Sequence, residues 1–183
     1  MTVKHLAVHL TSPEGPELEL TILGYEFPGI DKDYDTSNWL IIRVRTRAPS
    51  GPWESVGPFM STFDVEELAT WLDAVAAEAP MINRETLMES GRAPREGLPA
   101  SRLYDPCEFL EPNLRFVLAE RTRDHAVLHV YFGLDARPPW ARVTGAENEE
   151  SRLVLTVSSA DLKAASQSLR SQLCTFPVRA TAR

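Results

Sequence analysis

Apolar residues return at every second position in several separate stretches of this chain, and no other feature limits its fold so tightly. In the segment Leu40 to Arg47, Leu40, Ile42 and Val44 alternate with Arg43, Arg45 and Arg47. A period of two is the strand period. One apolar side opposite one charged side marks an antiparallel sheet with a single covered face. Leu6, Val8 and Leu10 alternate in the same way, and after a Ser12-Pro13-Glu14-Gly15-Pro16 turn so do Leu18, Leu20 and Ile22. Two such runs either side of a short turn predict a hairpin. A fourth, less regular strand is expected over about Trp53 to Thr62, where Pro52 and Pro58 suit an edge or irregular position. The second half repeats this outline, with strands expected near Leu103–Leu110, Asn113–Glu120, His125–Leu134 and Arg152–Val157.

Each run of strands ends in a helical pattern. Val65, Leu68, Leu72, Val75 and Ala79 fall on one face at helical spacing, with Trp71 on the flank and Pro80 at the stop. Asp64 is the expected N-cap, with Glu67 three residues on and Phe63 and Leu68 placed as a hydrophobic staple. Leu162, Ala165, Leu169 and Leu173 form a second stripe behind Ser158 as cap and Asp161 at its third position. Strands in runs, each followed by a helix, predict α+β: mostly antiparallel sheet, about eight strands, with two amphipathic helices packed on one face.

The halves, about 1–82 and 103–179, are joined by a Gly- and Pro-containing loop at 83–102, long for the inside of a compact domain. A single domain over 1–183 is expected, since either half alone has a thin core for about 90 residues. One continuous sheet and two packed lobes are both compatible with this pattern. No residue-level repeat between the halves stands out.

Hydrophobic residues make up 43% and charged residues 25% of the chain, which excludes a largely disordered or low-complexity protein. Twenty-six acids against 19 bases leave a formal charge of -7. Nucleic acid is therefore not the expected partner, because holding phosphate needs a basic face. The N-terminus has no signal-peptide pattern, and no stretch approaches about 20 apolar residues. A cytoplasmic protein with no membrane span is expected, with Cys107 and Cys174 reduced.

The chemistry-bearing patterns fail one by one. Asp31-Lys32-Asp33-Tyr34-Asp35 resembles the start of a calcium loop, but Thr36 and Ile42 stand where Gly and Glu are required. His5/His9 and His125/His129 have a chelating spacing only on a helix; on strands four residues span about 13 Å. No Gly-rich loop opens a helix to hold a nucleotide, and no nucleophile elbow or marked cysteine occurs. Among 26 acids no carboxylate pair is singled out as acid and base. No catalytic residue, cofactor or metal site is expected.

Several short patterns together are familiar. Tyr25-Glu26-Phe27-Pro28, then Tyr34-Asp35 before Asn38-Trp39-Leu40, is similar to the opening of the WapI family of bacterial immunity proteins. So are the next strand, the Val65–Leu72 helix, the segment Glu111-Pro112-Asn113-Leu114-Arg115-Phe116, and the ending Thr175-Phe176-Pro177-Val178-Arg179. Order and spacing match from roughly Leu18 to Arg179, while the loops 83–102 and 137–150 read as insertions. The resemblance implies a non-catalytic protein that binds and neutralises the toxic C-terminal domain of a secreted polymorphic toxin. It carries no interface residues with it.

The motif residues have structural roles to fill. Trp39 is expected to pack in the core, Asn38 to bond turn backbone, and Pro112 and Pro177 to set loop geometry. Contact with a basic toxin is expected on the acidic loops, through Asp31, Asp33, Asp35, Glu147, Glu149 and Glu150. The alternative is a small-molecule-binding protein or an enzyme with a pocket between sheet and helices.

Overall fold

The computed structural model describes residues 7–77, 106–141 and 151–179. The predicted α+β architecture is what forms. Two four-stranded antiparallel sheets lie in chain order. The first contains β1 (Val8–Thr11), β2 (Glu17–Tyr25), β3 (Trp39–Ala48) and β4 (Gly51–Ser61). The second contains β5 (Cys107–Glu108), β6 (Leu114–Arg121), β7 (His125–Phe132) and β8 (Arg152–Ser158). A one-turn helix α1 (Tyr34–Ser37) precedes β3, and a 3-10 turn (Leu134–Ala136) follows β7. Helix α2 (Thr62–Ala76) leaves directly from β4, and α3 (Ser159–Thr175) directly from β8. Among the described residues each half is thus a meander closed by a helix.

Side-chain parity sets the register. Leu18 and Leu20 face inward beside Val44 and Thr46, while Glu17 and Glu19 sit opposite Arg47 and Arg45 on the outer face. Those outward arginines do not simply face water. Arg47 pairs with Glu17 at 3.2 Å, Arg43 and Arg45 with Glu19, and Arg45 also with Glu54. Opposite charges directly across a ladder support the register, and like charges there would oppose it. Gly15, at a positive φ of 106°, lets the chain reverse between β1 and β2.

The two sheets do not share a backbone ladder among the described residues, which settles the choice left open by the strand pattern in favour of two sheets. Side chains join them at two seams. At one, the Thr156 amide donates to Ser12 Oγ at 2.8 Å, tying β8 to the end of β1. At the other, Ser55 Oγ donates to the Asp135 carbonyl at 2.7 Å, tying β4 to the 3-10 turn. Trp53 of β4 packs edge-on against Phe132, at 4.9 Å, and against Trp140. Buried residues of both halves form one hydrophobic cluster, with Phe59, Phe116 and Phe132 wholly inside it. Burying each such ring stabilises by roughly 1.5–3 kcal/mol.

The two long helices pack on each other, and α3 also packs against β1. Arg170 of α3 reaches both Glu66 and Asp73 of α2. Arg121 bonds the Val75 carbonyl at the end of α2 and Ser159 Oγ at the start of α3.

The start of α2 differs from expectation. Ser61, not Asp64, is the N-cap: its hydroxyl accepts from the Asp64 amide while the Asp64 carboxylate accepts from the Ser61 amide at 2.7 Å. Asp64 is therefore the third helical residue, and Met60 and Val65, both buried, hold the positions flanking the cap. The strand runs into the helix with no intervening loop, so the first usable cap lies where β4 ends. Ser158 and Asp161 form the reciprocal pair at α3 as expected. One offset relates Ser61 to Ser158, Asp64 to Asp161, Val65 to Leu162 and Leu72 to Leu169. The helix starts thus carry a residue-level echo that the strand patterns do not reveal.

Trp39 also departs from expectation. It is half-buried at the start of β3 rather than in the core. Leu40, Ile42 and Val44 occupy the inward parity, so Trp39 takes the opposite side.

Candidate functional site

Four of the short motifs, distant along the chain, converge on one region of the structure. Asn38, 1% exposed, is the knot. Its Oδ1 accepts from Thr62 Oγ1 at 3.3 Å and from the Arg179 amide at 3.0 Å, and its Nδ2 donates to the Tyr34 carbonyl. It bonds turn backbone at Tyr34 as expected, and it also takes the backbone of the distant Arg179 and the hydroxyl of Thr62. Tyr25 donates its hydroxyl to the Pro177 carbonyl and meets Phe176 edge-on at 5.8 Å. The Arg179 guanidinium covers the other part of Tyr25 and donates to the carbonyls of Phe27, Pro28 and Ile30. The end of the chain is thereby strapped to the loop after β2.

The Glu111–Asn113 segment is anchored separately. Asn113, 4% exposed, accepts from the Asp135 amide on Oδ1 at 3.1 Å, and its carbonyl accepts from the Gly133 amide. Gly133 is required there, because a Cβ would stand 2.3 Å from the Pro112 carbonyl oxygen. Leu134 follows with a positive φ of 42°, a costly conformation for a non-glycine residue. The turn brings Asp135 toward β4.

Between these anchored segments lies a cleft of about 320 Å³. It is lined by Glu26 and Phe27 after β2, Thr36 of α1, Trp39 of β3, Pro58 of β4, Glu111 and Asn113, and Asp135. Among the described residues three carboxylates and no basic side chain line it. Burial, and then the neighbouring Glu111, raise the Glu26 pKa above the ordinary carboxylate value. Elsewhere acids meet arginines: Glu17, Glu19, Glu54, Glu66, Asp73 and Glu108 all do. Among the described residues none of the cleft carboxylates has such a partner.

The acids expected from the sequence are placed differently. Asp31 and Asp33 are exposed on the loop leading into α1. Asp33 works locally, accepting from Thr36 Oγ1 at 2.9 Å while its carbonyl accepts the Ser37 amide. Asp35 belongs to α1, and its side chain lies outside the described residues, as do Glu147, Glu149 and Glu150. The sequence reading passed over Glu26, Glu111 and Asp135. Two of them stood inside the familiar motifs, and acids embedded in Pro- and aromatic-containing motifs were the available signal.

The remaining candidates do not assemble into chemistry. His5 lies outside the described residues, His9 is exposed on β1, and His125 and His129 lie on β7 of the other sheet. Among the described residues no group of three potential ligands is placed to hold a metal. Cys107 is buried, and burial first, then the nearby acids Glu67, Asp64 and Glu108, push its thiol pKa far up, away from nucleophilic chemistry. No described helix is long and apolar enough to cross a membrane.

No curated protein matches the chain. A family model does: the immunity protein WapI-like family matches residues 9–177, a span that takes in all the described residues lining the cleft. The chain belongs to the WapI-like family of immunity proteins.

Proposed function

We propose that this protein is a non-catalytic antitoxin that binds the toxic C-terminal domain of a secreted polymorphic toxin and neutralises it by a stoichiometric contact in the cytoplasm. Membership of the immunity family over residues 9–177 is the observation that carries this reading. The charge of -7 supports it, because an acidic surface speeds association with a basic protein and disfavours nucleic acid as the partner. The acidic loops carrying Asp31, Asp33, Asp35, Glu147, Glu149 and Glu150 contribute to that steering. The chain acts as one folding unit over 1–183, a reading supported by the single hydrophobic cluster built from both halves.

The test is co-expression with the variable C-terminal domain of a secreted toxin encoded beside it. Restored growth together with a co-purified 1:1 complex is expected. Continued toxicity with no complex overturns the reading. Reversing the charge of Asp31, Asp33 and Asp35 is expected to slow association several-fold at low salt. An unchanged rate removes that loop from the interface.

A further inference from the structure

We infer that the cleft between the two halves is the partner-binding surface, its carboxylates Glu26, Glu111 and Asp135 receiving an arginine side chain of a basic protein while Phe27, Leu110 and Leu134 cover apolar surface around it. The identity of the partner rests on the antitoxin reading above; the cleft's chemistry does not.

Charge complementarity selects the occupant. Three carboxylates share the cleft, and no basic side chain among the described residues lines it. By contrast, Glu17, Glu19, Glu54, Glu66, Asp73 and Glu108 are each met by an arginine of this chain. Holding acids in a cleft without a counter-ion costs free energy in the isolated protein; the Glu26 pKa is raised first by burial and then by the neighbouring Glu111. A guanidinium from outside removes it. Arginine suits the walls better than lysine, because its planar group stacks on rings such as Phe27 and Trp39 while its fork bonds carboxylates.

The surroundings are those of an interface. Phe27 lines the cleft and is 38% exposed. Leu110, beside Glu111, is 86% exposed, and Leu134, beside Asp135, is 50% exposed. Large apolar side chains held outward around a polar centre mark protein contact surfaces. Leu134 is not loosely held: it keeps a strained backbone because Asn113 and Gly133 fix the turn. Asn113 is nearly fully buried and spends Oδ1 on Asp135, leaving Nδ2 at the cleft without a bond to any described residue. That donor is placed to take a carbonyl of the incoming segment.

Two measurements test this separately from the antitoxin reading. A tri-arginine peptide at low salt is expected to shift the NMR signals of the Trp39 indole and the Asn113 side-chain amide. The shifts should persist in a D31N/D33N variant and vanish in Glu26→Gln/Glu111→Gln/Asp135→Asn, whose fold is checked by its urea midpoint. Shifts confined to the Asp31–Asp33 loop, or undiminished in the triple variant, overturn the inference whether or not any toxin is neutralised.

With a toxin domain that the wild-type protein neutralises, the triple variant is expected to bind on the order of 100-fold more weakly, and Leu110→Ser about tenfold. Equal affinity for the triple variant and the wild type leaves the antitoxin reading standing and removes the cleft. Failure of the wild type to neutralise, with the peptide still seated in the cleft, removes the antitoxin reading and leaves the cleft as an arginine-binding surface.

Discussion

The guanidinium of Arg179 lies 3.4 Å over the ring of Tyr25 and bonds three carbonyls of the loop that follows it. This contact holds one wall of the acidic cleft, since Glu26 stands between Tyr25 and the bonded Phe27, and both Glu26 and Phe27 line the cleft. Arg179→Ala is expected to destabilise the fold by about 1–2 kcal/mol. Amide exchange at Gly29 and Ile30 should quicken by more than the global loss accounts for. Lysine should recover only part of the effect, because it lacks the planar fork. Urea denaturation and hydrogen exchange read both, and unchanged protection at Gly29 and Ile30 in Arg179→Ala contradicts the strap.

The two helix starts make a matched prediction. Ser61→Ala and Ser158→Ala are each expected to cost about 1 kcal/mol, since each hydroxyl satisfies an amide of the first turn. Glu67→Ala, at an exposed position, should stay within about 0.5 kcal/mol. Thermal or urea midpoints distinguish these, and a larger loss at Glu67 than at Ser61 would place the cap three residues later.

Gly133→Ala should be among the more damaging single changes outside the core. Its Cβ would meet a backbone oxygen at 2.3 Å, which no side-chain rearrangement relieves. A loss of about 2 kcal/mol or more is expected, together with weakened binding of the tri-arginine peptide as Asp135 and Glu111 move apart. A fully stable variant would show that the Pro112 segment can shift.

Two acids should respond to pH in opposite directions. The raised Glu26 pKa means that the folded state holds this proton more tightly than the unfolded state. The resulting penalty is absent below the ordinary carboxylate range and complete above the raised pKa. Glu26→Gln is therefore expected to raise the urea midpoint at neutral pH and to change nothing in strong acid. For Asp73, burial pushes the pKa up, but bonds from Ser166 and Arg170, with the charges of Arg170 and Lys163, bring it below the ordinary value. Its contribution is present above the ordinary range and lost as pH falls through the lowered pKa. Asp73→Asn should lower the midpoint at neutral pH, with the difference shrinking in acid. Parallel pH–midpoint curves for either variant and the wild type contradict its assignment.

Much of the framework was legible along the chain. The alternation in Leu40–Arg47 placed β3 and its inward side, and Ser158 with Asp161 placed the start of α3. Trp39 and Ser61 show where such reading stops. An aromatic residue at a strand start is read as core until the parity of Leu40 and Ile42 is taken into account. Ser61 and Asp64 are both good caps, and only the direct passage from β4 into α2 decides between them. The candidate site was less legible still: attention fell on the dense acidic run Asp31–Asp35, whereas the cleft gathers single acids from three distant segments.

The sequence by itself determined the strands, the two amphipathic helices and one of their caps, because side-chain period and cap hydrogen bonds act over two to four residues; the family was legible only through the resemblance of its short motifs. Only the tertiary structure decided that the strands form two sheets and that Glu26, Glu111 and Asp135 share a cleft. Those outcomes rest on contacts such as Thr156 with Ser12, Ser55 with Asp135 and Arg179 with Tyr25. Each joins segments far apart along the chain, where no local period records which residue will meet which.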